Sequence, residues 1–119
     1  MQTSYSRGKA TEEFAKQYLI QQGLSFIESN VHCRQGEIDL VMRDVETLVF
    51  VEVKYRKNKS FGGAIAAVSQ AKQNKIKHCV SFFLQKSNLN EYNTPCRFDV
   101  IALDGDIAQP QVTWLKNAF

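Results

Sequence analysis

The sequence contains few cysteines, the residues that stabilise many small proteins through disulfides or bound metal. Its 119 residues include three cysteines, an odd number without Cys-x-x-Cys spacing. That pattern argues against both a disulfide framework and a zinc site, and it is typical of a reducing cytoplasm. We therefore expect no structural disulfide, and we expect Cys79 to be a small core residue.

Long apolar runs are also missing. None approaches membrane-spanning length, and the N-terminus lacks a basic start followed by an apolar core. We also find no repeat, low-complexity tract or linker-like stretch. These absences predict one cytoplasmic domain over residues 1–119, outside any membrane. Because the net charge is only +3, affinity for nucleic acid would require local clusters of basic residues.

What the sequence does contain is a pair of apolar-rich runs, residues 37–43 and 47–55, which predict a β-hairpin. A turn centred between Val45 and Glu46 pairs residues whose numbers sum to 91, and so sets Asp39 across from Glu52. Facing carboxylates repel each other unless positive charge lies between them. Lys54 is one candidate for that charge, and a hard divalent cation is the other.

The alternative for these acids is an ordinary ion-pair cluster on a solvated face. Against it, the segment VFVEV is apolar on both faces, which predicts a central strand covered on both sides. An unpaired charge is costly in such a strand.

Two helices are expected beside the hairpin. The first spans residues 7–22 and ends at Gly23; Glu12 borders its apolar stripe, whereas Glu13 points away. Glu12 either reaches toward the sheet or complements the helix dipole. The second helix runs from Gln70 to Lys86 with Ser69 as N-cap. Its buried face extends to Lys72, which meets phosphate or carboxylate there, or else snorkels to the surface.

The remaining segments predict three more strands, at residues 24–32, 96–103 and 111–115. The resulting order, α-β-β-β-α-β-β, predicts an α/β sandwich with a mixed central sheet and flanking helices. Asp99 is expected to pair structurally with Arg97.

Basic residues follow the hairpin closely, with four in the six positions 54–59. Basic side chains around an aromatic ring suit a phosphate backbone, although a solvated loop is the plain alternative. Arg34 is a second candidate phosphate contact. Gly36 either supplies an unusual backbone angle or lets a phosphate approach closely.

The acid on one strand and Glu-x-Lys on the next, Asp39 with Glu52-Val53-Lys54, resemble the PD-(D/E)xK nuclease superfamily. The longer strings CRQGEIDLV, LVFVEVKYR, FGGAIAAVSQAKQNKI and CRFDVIAL resemble the YraN-like family of predicted endonucleases, related in fold to archaeal Holliday-junction resolvases. The similarity covers residues 7–103.

The resemblance implies a restriction-endonuclease-like fold and a nuclease dependent on Mg²⁺ or Mn²⁺ that cuts branched or other non-duplex nucleic acid, with DNA favoured over RNA. It implies metal ligation by Asp39, Glu52, Glu12 and the Val53 carbonyl, with Lys54 as the catalytic amine. The expected nucleic-acid contacts are Arg34, Arg56, Lys57, Lys59, Lys72 and Gln73, supported by Gly36 and Glu37.

Related resolvases work as dimers, so the resemblance also allows a homodimer. Two alternatives remain open from the sequence. One is a nucleic-acid-binding module on the same fold that does not cut, and the other is a protein-interaction domain.

Overall fold

The computed structural model describes residues 4–34, 36–57 and 69–118, with only the backbone described for residues 4–7. These described residues form two helices and five strands in the predicted order. These are α1 (Ser4–Gln21), β1 (Ser25–Cys33), β2 (Gly36–Asp44), β3 (Thr47–Arg56), α2 (Gln70–Lys86), β4 (Cys96–Asp104) and β5 (Gln111–Leu115). Neither helix has the length and apolar sequence that a bilayer crossing requires.

All five strands form one mixed sheet in the order β1-β2-β3-β4-β5. The first three strands are antiparallel neighbours, β3 and β4 run parallel, and β5 pairs antiparallel with β4. Because α2 lies between β3 and β4 in the chain, it supplies the crossover that parallel pairing needs. The mixed α/β architecture is therefore confirmed.

The hairpin has the predicted register over part of its length. Pairs from Asp44–Thr47 to Leu40–Val51 all follow the expected sum, and Val45 in the turn has a φ of 57°. Beyond Leu40–Val51 the two strands separate: the start of β2 pairs only with β1, and the end of β3 pairs with β4. The predicted direct pairing of Asp39 with Glu52 is therefore wrong, since both residues lie where β2 and β3 fork.

Each face of the sheet carries its own apolar cluster. Phe50 packs with Ile76 and Phe83 of α2, whereas Val51 packs with Ala15 and Leu19 of α1. The central strand β3 is covered on both sides, as its sequence predicts, because its neighbouring residues alternate between the two clusters.

The alternation in β2 is interrupted at Asp39. Ile38 belongs to the cluster beneath α2, but Leu40 belongs to the cluster beneath α1. Residues two apart in a regular strand share a face. The change of side therefore occurs at Asp39, which is also where β2 leaves β3.

Local sequence accounts for two helix boundaries. Ser69 has extended backbone angles and its side-chain oxygen accepts a hydrogen bond from the Lys72 N–H, so α2 begins where predicted. Gly23 has a φ of 102° just after α1, and the Leu24 N–H donates to the Leu19 carbonyl at 3.0 Å. This is the left-handed termination that glycine favours.

The cysteine prediction is wrong, because Cys33 at the end of β1 forms a disulfide with Cys79 of α2. Their Cα atoms are 5.4 Å apart and they are separated by 46 residues in sequence. The bond depends on how α2 packs across the sheet, which the spacing of the cysteines does not reveal. Cys79 is buried, as expected, and Cys96 is an exposed free thiol. Free cysteines therefore no longer support the prediction of a reducing cytoplasm.

Candidate metal centre

Asp39 lies at the fork between β2 and β3 and bridges the two strands there. Its Oδ2 accepts a hydrogen bond of 2.8 Å from the Val53 N–H. This bond replaces the backbone pairing that the strands have lost. Val53 thus takes part in the site through its N–H, while the predicted role of its carbonyl remains a prediction.

Glu12 and Glu37 join Asp39 in a cluster of three carboxylates, which we call the acidic cluster. One oxygen from each of the three lies within 4.8 Å of the others. Glu12 comes from α1, as the helical projection indicates, whereas Glu13 is exposed and accepts a 2.9 Å hydrogen bond from Gln17. The helix therefore directs one specific glutamate at the sheet.

Glu37 is the member whose importance the sequence did not reveal, since it was expected only to support the site. It is the most exposed of the three, and its Oε2 lies 3.2 Å from His32 Nδ1. The available signal was its position two residues before Asp39, on the expected shared face.

Burial and neighbouring charge perturb the protonation of the acidic cluster. Desolvation raises the pKa of Asp39 from 3.8 to about 7; the Val53 hydrogen bond opposes this, and the charges of Glu12, Glu52 and Glu37 add to it. Desolvation also raises the pKa of Glu12, opposed by a hydrogen bond with Asn30 and reinforced by Glu37. The cluster therefore holds negative charge at a free-energy cost that a bound cation would offset.

Glu52 enters the fork from β3 but is not a member of the acidic cluster. Its Oε1 pairs with Lys72 of α2, whereas Oε2 is buried with no hydrogen-bond partner among the described residues. The expected neighbour, Lys54, is partly buried and makes no ion pair within the described part of the chain. The cation that contacts Glu52 is therefore Lys72. Of the two partners predicted for Lys72, phosphate and carboxylate, it contacts a carboxylate in this structure.

A cavity of about 320 Å³ lies beside this ion pair, between the start of β2 and the start of α2. Gly36, Glu37, Ser69, Lys72 and Lys75 are among the residues that line it. Gly36 does not have a left-handed backbone, and a Cβ added there would meet nothing within 4 Å. The prediction of an unusual backbone angle at Gly36 is therefore wrong, whereas the close approach of a phosphate there stays a prediction.

The other predicted nucleic-acid contacts are spread around the fork. Arg34, Arg56 and Lys57 are exposed, and Gln73 is half-buried on the first turn of α2. Lys59 lies outside the described residues. The structure thus leaves three basic side chains open to solvent without assigning them a ligand.

Asp99, the other acid weighed from the sequence, is fully buried and has partners for both oxygens. Arg97 donates to it from Nε at 2.9 Å and from Nη2 at 3.0 Å, and Trp114 Nε1 donates at 2.9 Å. The predicted structural pairing with Arg97 is confirmed.

Comparison with known proteins assigns a family. The sequence profile of the uncharacterised protein family UPF0102 matches residues 11–103. A UPF0102 protein from Colwellia psychrerythraea strain 34H is 68% identical over 117 residues, covering 98% of this chain and 91% of that protein. A UPF0102 protein from Alcanivorax borkumensis is 43% identical over 120 residues, covering 100% and 95%. Another, from Shewanella pealeana, is 44% identical over 119 residues and covers both chains completely.

Proposed function

The chain belongs to the uncharacterised protein family UPF0102, the YraN-like family that its sequence resembles, and on this premise we propose that it is a metal-dependent nuclease of the PD-(D/E)xK type. The proposed fold is restriction-endonuclease-like, and the proposed reaction is hydrolysis of phosphodiester bonds in branched or other non-duplex DNA. The observation that carries the proposal is the fork, where Asp39 and Glu52 lie at the point at which β2 and β3 stop pairing with each other, beside Glu12 and Glu37.

The donor set fits a hard divalent cation. The acidic cluster offers only carboxylate oxygens, which Mg²⁺ and Mn²⁺ prefer. Oε2 of Glu52, which is buried and has no hydrogen-bond partner in the described part of the chain, offers a further oxygen from β3. Glu12, Asp39 and Glu52 would hold the ion, with Glu37 and the Val53 carbonyl as additional oxygens. When bound, such a cation supplies charge neutralisation at the phosphate and acidification of water.

Side chains of the protein would orient the attacking water, stabilise the developing charge and bind the nucleic-acid backbone. Lys54 lies two residues after Glu52 on β3 and so extends from the same face of the strand. Its ammonium would orient the attacking water and stabilise negative charge developing on the phosphate. Loss of one such donor costs about 3–4 kcal/mol in studied enzymes. Arg34, Arg56 and Lys57 would hold the nucleic-acid backbone through exposed positive charge.

The test is a cleavage assay with Mn²⁺ on branched, duplex and single-stranded DNA and on RNA. The wild type should cleave at least one substrate, and Asp39→Asn and Glu52→Gln should each abolish cleavage without changing the circular dichroism spectrum. Glu13→Gln is the matched control, because Glu13 lies on α1 next to Glu12 but is exposed and outside the cluster. Full activity in both site variants would remove the assignment.

A second candidate is a nucleic-acid-binding module that does not cut. The pairing of Glu52 with Lys72 favours it, because that contact neutralises Glu52 without any metal. This function predicts DNA binding that weakens with salt but is unchanged by EDTA. Binding of this kind, without Mn²⁺-dependent cleavage of any substrate, would support the module over the nuclease.

A further inference from the structure

The two oxygens of Glu52 have opposite surroundings. Oε1 is neutralised by the Lys72 ammonium, while Oε2 is buried and unpartnered among the described residues. A carboxylate with one such oxygen is incompletely solvated by the protein. The ion pair therefore neutralises Oε1 of Glu52 and leaves Oε2 available to a ligand.

The two partners differ in freedom of movement. The Glu52 side chain is 16% exposed, whereas the Lys72 side chain is 46% exposed. The Lys72 N–H donates a hydrogen bond to the Ser69 side chain, which holds the backbone of Lys72 at the start of α2. Only the flexible side chain of Lys72 needs to move for the ammonium to change partner. The ammonium can leave Glu52 without any change in the helix.

Space for the released side chain exists next to the ion pair. Lys72 lines the cavity of about 320 Å³ whose walls also carry Lys75, Gly36 and the carboxylate of Glu37. The two ammonium groups beside the cap of α2 outnumber this one carboxylate, which makes the cavity suited to a phosphate. Lys72 thus lies between the Glu52 carboxylate, which a divalent cation would bind, and this cavity, which a phosphate would enter.

We propose that Lys72 is an exchangeable counter-ion: it holds Glu52 in the metal-free protein, is displaced when a divalent cation binds, and then turns into the cavity to bind a substrate phosphate. This inference rests on the proposed metal site and adds a coupling between metal and phosphate binding. Lys72 is a positioning residue with respect to the metal, since it acts through Glu52. Because the ammonium and the cation repel each other and share the charge of one carboxylate, each weakens the other's hold on Glu52.

The first test measures Mn²⁺ binding by isothermal titration calorimetry to the full chain without nucleic acid. Lys72→Met removes the competing ammonium and should tighten Mn²⁺ binding roughly fivefold, which corresponds to an ion pair of about 1 kcal/mol. Lys75→Met is the matched control, because it removes the same charge from the same cavity wall without breaking the pair with Glu52. It should change the affinity much less.

A double variant isolates the contact. In a Glu52→Gln background, Lys72→Met should alter Mn²⁺ affinity much less, because the carboxylate through which Lys72 mainly acts is gone. An effect of the same size in both backgrounds would show that the lysine acts only as a general positive charge, and it would overturn the proposal. Equal Mn²⁺ affinities for the wild type and for the Lys72 and Lys75 variants would also overturn it, while leaving the metal site intact. Absence of saturable Mn²⁺ binding in the wild type would instead remove the metal site itself and the exchange with it.

The second test measures the coupling to phosphate. Here Ca²⁺ serves as the divalent cation in place of Mn²⁺, and it should strengthen binding of a fluorescent single-stranded oligonucleotide to the wild type, in part by releasing Lys72. This enhancement should be smaller in Lys72→Met and should persist in Lys75→Met. An enhancement that is unchanged in Lys72→Met would refute the release of Lys72 toward phosphate.

Discussion

Asp39→Asn tests directly whether the fork is electrostatically unfavourable without a cation. The wild-type carboxyl has a pKa of about 7 in the folded protein against an ordinary value of 3.8. Between these values the folded state binds more protons than the unfolded state, so stability must fall as pH rises. The contribution is fully present below pH 3.8 and is lost as pH rises through about 7.

The size of the effect follows from the same two values. At about 1.4 kcal/mol per pKa unit, the difference sets an upper limit of about 4 kcal/mol at pH 8. Solvent access to Asp39 screens part of this, and we expect about 2 kcal/mol. Asparagine carries no charge, yet its side-chain oxygen still accepts the Val53 hydrogen bond. Asp39→Asn should therefore be more stable than the wild type at pH 8, and this advantage should shrink as the pH falls to 5.

Urea unfolding in EDTA between pH 5 and 8.5, followed by circular dichroism, measures this difference. The wild-type free energy of unfolding should decrease across the range, and the curve for Asp39→Asn should be flatter. The curve for Glu13→Gln should run parallel to that of the wild type, since Glu13 is exposed and is not a member of the acidic cluster. Parallel curves for Asp39→Asn and the wild type, or a less stable variant at pH 8, would refute the reasoning.

Metal provides a further arm of the same experiment. Mg²⁺ at pH 8 should raise the melting temperature of the wild type, because the cation offsets repulsion among the carboxylates. It should raise that of Asp39→Asn far less. Equal stabilisation of both proteins would exclude Asp39 as a ligand.

Three further predictions concern other features of the structure. Reduction of the disulfide between Cys33 and Cys79, which closes a loop with a sequence separation of 46, should lower the free energy of unfolding by about 4 kcal/mol; coincident denaturation curves with and without reductant would contradict this. Gly36→Ala should leave the melting temperature unchanged, because the added Cβ meets no atom within 4 Å, yet weaken oligonucleotide binding if a phosphate approaches there; unchanged affinity would exclude that approach. Asp99→Asn should destabilise the fold by about 3 kcal/mol, because both buried oxygens accept only from N–H donors and an amide NH2 would face two of them; Arg97 keeps its second ion pair, with Asp44. Urea denaturation at pH 7 should detect the loss, and unchanged stability would show that these hydrogen bonds are dispensable.

Features set by neighbours along the chain were predictable from the sequence. Alternating apolar residues and a short turn determined the register of the hairpin as far as Leu40–Val51. Helical periodicity separated Glu12 from Glu13, and a serine before an apolar stripe placed the start of α2. Two residues apart on one strand, Arg97 and Asp99 were close enough to be paired by inspection.

Features that join distant segments were decided only by the tertiary structure. The cation at Glu52 is Lys72, twenty residues away on α2, rather than Lys54 on the same strand. The disulfide likewise joins β1 to α2. Both contacts depend on where α2 crosses the sheet, which is determined by packing of its whole apolar face and leaves no local pattern. The sequence by itself thus determined the elements and which acids face the sheet, whereas the fork between β2 and β3 and the partners of those acids required three-dimensional packing.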